Sequence, residues 1–359
     1  MTDRLDRVRT LINELGCDAL VLTSPASRRH ATGFSSASST SFSTDVAIVT
    51  PDRCELLVSP IHVEWARGEA SGVDEISALQ GGFPASLASR LSALDVGTVA
   101  LEADHLPYPD AQSLQSLLPD VTFRFETNLK HRLRQVKDET ELRHLQEAAR
   151  VTDEVFESFS DWLKPGITER SAARWISARL LERGDGLGFD VIVASGPNAA
   201  RPHHRPSDRA IQEREPVIID MGARIEGYCG DLTRTLWIGE PTDRFEDAYR
   251  AVLKAQIDTN AVMKDGTPVA DVALAADKSL QDSGYGEYIL HSVGHGLGLE
   301  IHESPSIRKD LTAVLVANSV VTVEPGVYIP GWGGVRVEDV VVVGSDLPRT
   351  LTTASKLYV

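Results

Sequence analysis

Four carboxylates fall into two mirrored pairs. Residues 217–235 read VIIDMGARIEGYCGDLTRT and carry Asp220 and Asp231. Each acid lies on a stretch with strand character: 217–220 is a short apolar run, and 228–235 alternates small or polar residues with larger ones. Gly222 and Gly227 bracket the bend. A hairpin centred between Ile225 and Glu226 sets Asp220 directly opposite Asp231, where Cβ atoms are roughly 4.5–5.5 Å apart. Two like charges at that separation repel unless a cation lies between them. Residues 321–343, VTVEPGVYIPGWGGVRVEDVVVV, repeat the device, with Glu324 and Glu338 equidistant from Gly331 in a turn-rich PGWGG. A lone Asp or Glu usually reads as a solvated turn or edge residue. These acids are embedded in VIID, VTVE and VRVED, where an unpaired charge is costly to bury.

Between the hairpins lies HSVGHGLGLEIHE, residues 291–303, with closely spaced glycines and three histidines. Four carboxylates with a histidine suit two divalent cations, because four negative charges match the four positive ones. Oxygen-dominated ligands with one imidazole favour Mn²⁺, with Fe²⁺, Co²⁺ or Zn²⁺ as alternatives, and exclude an all-thiolate site. Two metals roughly 3.5–4 Å apart can clamp both oxygens of a tetrahedral intermediate.

The elements that must position these groups need a chain of some size. With 359 residues the sequence has room for two domains at roughly 150 residues each and for a full core. A hydrophobic content of 42% and a charged content of 25% are those of a globular protein. The net charge of −16 disfavours nucleic acid and anionic membrane as partners. Three cysteines without a CxxC read as reduced, incidental thiols. The N-terminus is a charged amphipathic helix with no signal-peptide core, and no apolar run is long enough to span a bilayer, so a cytoplasmic location is expected.

Strands alternate with helices over the first third of the chain, which predicts a mixed α/β domain over 1–128, with 24–34 as a loop. A charge-rich connection opens the second domain, 129–359, and runs into a long helix ending at Lys164-Pro165-Gly166. Thr168 caps the next helix, a long polar loop follows over 194–209, and two further helices over 245–263 and 268–283 separate the acid hairpins. The fold class expected is α/β (α+β), a smaller N-terminal domain plus a larger C-terminal one.

From about Leu133 onward the chain resembles the pita-bread metallopeptidases, which include methionine aminopeptidase, aminopeptidase P and prolidase. The matching pieces are LRQVKDETEL, KPGITE, ASGPNAARPHH, IIDMG…GYCGDLTRT, GHGLGLEIHE, VEPGVYI and GVRVEDVVVV. Spacings of 11 residues from Asp220 to Asp231, 29 from His295 to Glu324 and 14 from Glu324 to Glu338 are the strongest part of the match. The resemblance implies that Asp220 chelates one metal, that Asp231 and Glu338 bridge both, and that His295 and Glu324 complete the other shell. It also makes Glu324 the general base, His203 and His302 the histidines that meet the substrate, and Tyr328 and Arg336 residues of the substrate side. His204 reads as an ordinary loop residue and His291 as structural. Tyr328 could equally pack in the core, and Arg336 could be an ion-pair partner of Glu338 or Asp339.

The N-terminal half resembles the extra domain of the proline-specific members, so the expected substrates are peptides with proline at the second position. A homodimer is implied on the same ground. A dipeptidase must hold the free carboxylate after proline, and an arginine is the usual choice. Many prolidases place it in H-E-x-P-R, whereas this chain reads His302-Glu303-Ser304-Pro305-Ser306, with Arg308 two residues on. That departure favours an Xaa-Pro aminopeptidase (aminopeptidase P) over an Xaa-Pro dipeptidase (prolidase). The remote alternative is a non-peptidase or binding member of the same fold.

Overall fold

The computed structural model describes residues 2–36 and 45–357. It divides into two compact units, Met1–Arg134 and Gln135–Val359.

In the first unit one sheet runs in the order Glu75–Ala78, Cys54–Val58, Val46–Val49, Ala19–Leu22, Thr98–Glu102, Thr122–Glu126. Ala19–Leu22 pairs antiparallel with Val46–Val49 and parallel with Thr98–Glu102. Side chains alternate across a strand, so Leu20 and Leu22 enter one core while Ala19 and Val21 enter the other. Helix Thr2–Leu15 closes the first core through Val8, Leu11 and Ile12, with Leu129 and Leu133 beside it. Helix Phe83–Ala93 closes the second through Phe83, Leu87 and Leu91.

Residues 24–34 are not the expected loop; they hold the helix Pro25–Thr32. The Ser24 side chain accepts from the Ser27 amide, proline occupies the first turn, and Gly33 ends the helix at φ 78°. This helix buries Ser27, Arg28, His30 and Thr32, so apolar spacing does not reveal it and only its caps do. The half-buried strand Glu75–Ala78 also went unanticipated.

In the second unit Pro216–Met221 lies between Ile192–Ser195 and Leu232–Trp237 in an antiparallel sheet. Helices Glu139–Trp162 and Glu169–Arg183 cover it, packing Val155, Phe156, Ile176 and Leu180 around Val217, Ile219 and Met221. Asp138 and Glu141 form a capping box on the first of these helices, and Thr168 caps the second. A second sheet runs in the order Glu303–Ile307, Gly294–Gly296, Val320–Val323, Asp339–Val342, Arg349–Thr350. Helix Val269–Asp282 packs on it through Val269, Val272 and Ala276. Helix Asp243–Val262 packs Phe245, Tyr249 and Val252 against Val327 and Val335 of the hairpin formed by Gly326–Ile329 and Gly333–Arg336.

All three cysteines are buried and free. Among the described residues no helix is long and apolar enough to cross a membrane.

Candidate metal centre

The register of the first hairpin differs from expectation. Asp220 pairs with Thr233, not with Asp231, and Ile225 pairs with Tyr228. The turn falls on Glu226 and Gly227, at φ 49° and 80°. A two-residue hairpin turn of this kind needs positive φ at both central positions. The expected centre would have put the β-branched Ile225 there, where a left-handed conformation is strained. The pairing therefore moves by two residues, an even shift that leaves the same side chains on the same face. Asp231 lies two residues before Thr233 and diagonal to Asp220.

The second hairpin keeps the expected register. Val323 pairs with Asp339 and Gly326 with Arg336, which leaves Glu324 and Glu338 equidistant from Gly331. Neither glutamate is in a strand: both sit in a break between the two paired stretches. The break frees their amides for neighbouring elements. Glu324 N donates to the Val293 carbonyl at 2.7 Å, and Glu338 N donates to the Thr233 carbonyl at 3.0 Å. The second bond stitches the two hairpins together at their acids.

The histidine segment completes the cluster. Gly294 passes so close to the neighbouring strand that a Cβ there would lie 2.0 Å from the Thr322 carbonyl oxygen. His295 Nδ1 is 3.0 Å from the Gly296 carbonyl, so Nδ1 carries the proton and Nε2 keeps its lone pair. That Nε2 lies 3.7 Å from Asp231 Oδ2 and 3.7 Å from Glu324 Oε1. Asp231, His295 and Glu338 each offer a ligand atom, all within 4.8 Å of one another. Asp220 Oδ2 accepts from Arg336 Nη2 at 2.7 Å, while its buried Oδ1 has no hydrogen-bond partner among the described residues. Glu338 Oε2 accepts from Thr233 Oγ1 at 2.7 Å.

Burial and mutual repulsion favour the protonated forms of Asp231, Glu338 and Glu324 at pH values where carboxylates are normally charged. Asp231 is raised well above its ordinary value, by burial first and then by Glu338, Asp220 and Glu324. Glu338 is raised well above its ordinary value by burial, then by Glu324 and Asp220. Burial pushes Glu324 up to about 8, against the pull of Arg336. Burial likewise lowers His295 to about 4, so the imidazole stays neutral as a metal ligand must. Buried acids that repel one another, an unpartnered Asp220 oxygen and a neutral imidazole with its lone pair facing two of the carboxylates form a donor set that fits divalent cations.

The other expected site residues surround this cluster. His203 and His302 are both exposed. The His302 ring stands edge-on to His295 with centroids 4.4 Å apart. His203 lies in a cleft of about 590 Å³ that also includes Pro202, Leu290 and His291. Tyr328 and Arg336 are buried, 1% and 2% exposed. Arg336 donates from Nε to Thr233, from Nη1 to Tyr328 Oη and the Pro202 carbonyl, and from Nη2 to Asp220. Its salt bridge is therefore with Asp220, while Asp339 pairs with Arg234 and Lys356.

Three features of this neighbourhood were missed in the sequence. His291 Nε2 is 2.6 Å from Tyr328 Oη, and its Nδ1 is 3.9 Å from Glu324 Oε2. His204 is buried and bonds the carboxylate of Glu169 at 2.9 Å. Glu303, next to His302, forms a fully buried pair with Lys137 at 2.9 Å. The KPGITE and VKDE stretches contain Glu169 and Lys137 but give no sign of their partners, which lie 35 and 166 residues away.

Residues 143–345 match the model of metallopeptidase family M24. The chain belongs to that family. Residues 4–136 match the creatinase/prolidase N-terminal domain. This M24 peptidase is 33% identical to the uncharacterized peptidase YqhT of Bacillus subtilis, over 98% of each chain. Its fold superimposes on a solved Xaa-Pro dipeptidase from Bacillus anthracis with a TM-score of 0.93, at 33% identity, covering 100% of this chain and 99% of that one. It superimposes on an X-Pro aminopeptidase from Thermotoga maritima with a TM-score of 0.87, at 30% identity, covering 96% and 98%. The α/β N-terminal domain and the pita-bread C-terminal domain are those of this family, and so is peptidase activity.

Proposed function

We propose that this M24 peptidase hydrolyses Xaa-Pro bonds with two divalent cations, Mn²⁺ foremost, held by Asp220, Asp231, His295, Glu324 and Glu338. The observation that carries this reading is the cluster of buried, mutually repelling acids around a neutral His295. When bound, the cations would polarise the scissile carbonyl and lower the pKa of the attacking water. Glu324 accepts the proton of that water. His203 and His302, exposed beside the cluster, donate to the carbonyl oxygen as charge develops on it. Arg336 and Tyr328 hold Asp220 and the Pro202 loop in place around them. An Xaa-Pro bond is a tertiary amide without an N–H, so donors to its carbonyl must supply the recognition that an N–H contact gives elsewhere.

Within that class we favour the aminopeptidase. Ser306 stands where a dipeptidase would present an arginine to the substrate carboxylate. Arg308, the nearest substitute, is already bonded to Asp310 through Nε at 3.0 Å and Nη2 at 2.7 Å, and Lys309 pairs with Asp277. The dipeptidase is the second reading, favoured by the name of the Bacillus anthracis structure. Incubation of the Mn²⁺-loaded protein with Ala-Pro and Ala-Pro-Ala, with products read by mass, separates the two. Release of Ala from the tripeptide alone supports the aminopeptidase. Cleavage of the dipeptide alone establishes the second reading, and cleavage of neither removes the Xaa-Pro assignment.

A further inference from the structure

Glu169 lies at the first turn of helix Glu169–Arg183, away from the acid cluster, and is fully buried. Its carboxylate accepts from Ser195 N at 2.8 Å, Ser195 Oγ at 2.7 Å and Asn198 Nδ2 at 3.0 Å. It also accepts from His204 Nε2 at 2.9 Å, Ser207 N at 3.0 Å and Ser207 Oγ at 2.6 Å. Burial alone would raise its pKa; these bonds outweigh burial and hold it at about 2. A charge buried this deeply, with every partner supplied by the end of strand Ile192–Ser195 and the loop that follows it, is an anchor for that loop.

The loop is the one that carries His203. Immediately before His203, the Pro202 carbonyl accepts from Arg336 Nη1 at 3.3 Å, the same guanidinium that holds Asp220. Immediately after it, His204 is fixed to Glu169. His203 is thus an exposed side chain between two clamped neighbours, in the cleft that also includes His291.

We infer that Glu169 is a positioning residue that fixes His203 in the cleft beside His291 through its bond to His204. The inference rests on the proposed role of His203 in the Xaa-Pro reading. A misplacement of about 1 Å of a group that meets the reacting carbonyl costs up to about a hundredfold in rate.

The test compares kcat and KM on Ala-Pro-Ala, metal content and the His203 ring resonances by NMR, for the Mn²⁺-loaded protein in turnover and the metal-free protein in NMR. His204→Ala is expected to lower kcat by about tenfold to a hundredfold at unchanged metal content, and His204→Gln, whose amide overlays Nε2, to recover most of it. Glu169→Gln should lower kcat similarly, and should have no further effect when His203 is already alanine. Full multiplicative loss in the double variant, or no rescue by His204→Gln, would overturn the inference. If the wild-type protein cleaves no Xaa-Pro peptide, that reading has failed, and the resonances decide alone. They should move in His204→Ala and return in His204→Gln, and unmoved resonances overturn the inference.

Discussion

Arg336 Nη2 donates to Asp220 Oδ2 at 2.7 Å, in a salt bridge whose side chains are 2% and 12% exposed. Burying such a pair costs desolvation of both ions, but removing one partner strands the other. Arg336→Ala should therefore destabilise the metal-free protein by about 3–5 kcal/mol. Chemical denaturation measures this, and added Mn²⁺ should recover part of the loss by neutralising Asp220. Unchanged stability would mean that Asp220 is already neutral without its partner.

Metal uptake should release protons. Glu324 is pushed up to about 8, and Asp231 and Glu338 are also held above the ordinary carboxylate range, so all three carry protons in the metal-free protein. Ligands must ionise to bind. Calorimetric titration at pH 7 in buffers of different ionisation enthalpy should show net release, and that release should shrink as the starting pH rises past 8. Buffer-independent heats at pH 7 would contradict the protonated cluster.

Asp231→Asn replaces an acid that can ionise on metal binding with a neutral amide of the same size. That acid is held protonated in the metal-free protein, so a neutral amide should leave the stability of the metal-free variant about unchanged. Metal affinity should fall by more than about a hundredfold, and turnover with it. Metal analysis after dialysis and a peptide assay check the two effects separately. Wild-type metal content with near-normal turnover would remove Asp231 from the ligand set.

Glu169 ties stability to acid pH. Its pKa is lowered from the ordinary 4.5 to about 2, so its contribution is complete above 4.5 and is lost as pH falls through 2. The contribution amounts to roughly 3 kcal/mol at neutral pH. The stability gap between wild type and Glu169→Gln, followed by denaturation from pH 7 downward, should stay constant to about pH 4.5 and narrow below it. A gap that does not change with pH would show that the Glu169 charge is not the source.

Much of this molecule is legible in its sequence. The second hairpin folds about Gly331 as its symmetry predicts, because a glycine-rich turn between two valine-rich runs leaves little choice of register. The first hairpin has two candidate centres one residue apart, and the preference of Gly227 over Ile225 for a left-handed turn chose between them. The outcome kept the acids on one face because the shift was even, although direct opposition of Asp220 and Asp231 was lost.

The sequence by itself determined the candidate donors: five metal-competent residues at set spacings, in apolar surroundings that make an unpaired charge costly. Local physics suffices for that, since periodicity, turn chemistry and the cost of burial act within a few residues. Only the tertiary structure decided how the set is held. Arg336 reaches Asp220 across 116 positions, Lys137 reaches Glu303 across 166, and Glu169 collects Ser195, Asn198, His204 and Ser207 from 26 to 38 residues away. Each is a buried charge whose partner is fixed by how strands and helices pack. Nothing local to Glu169 in KPGITE distinguishes it from an ordinary first-turn acid on a helix.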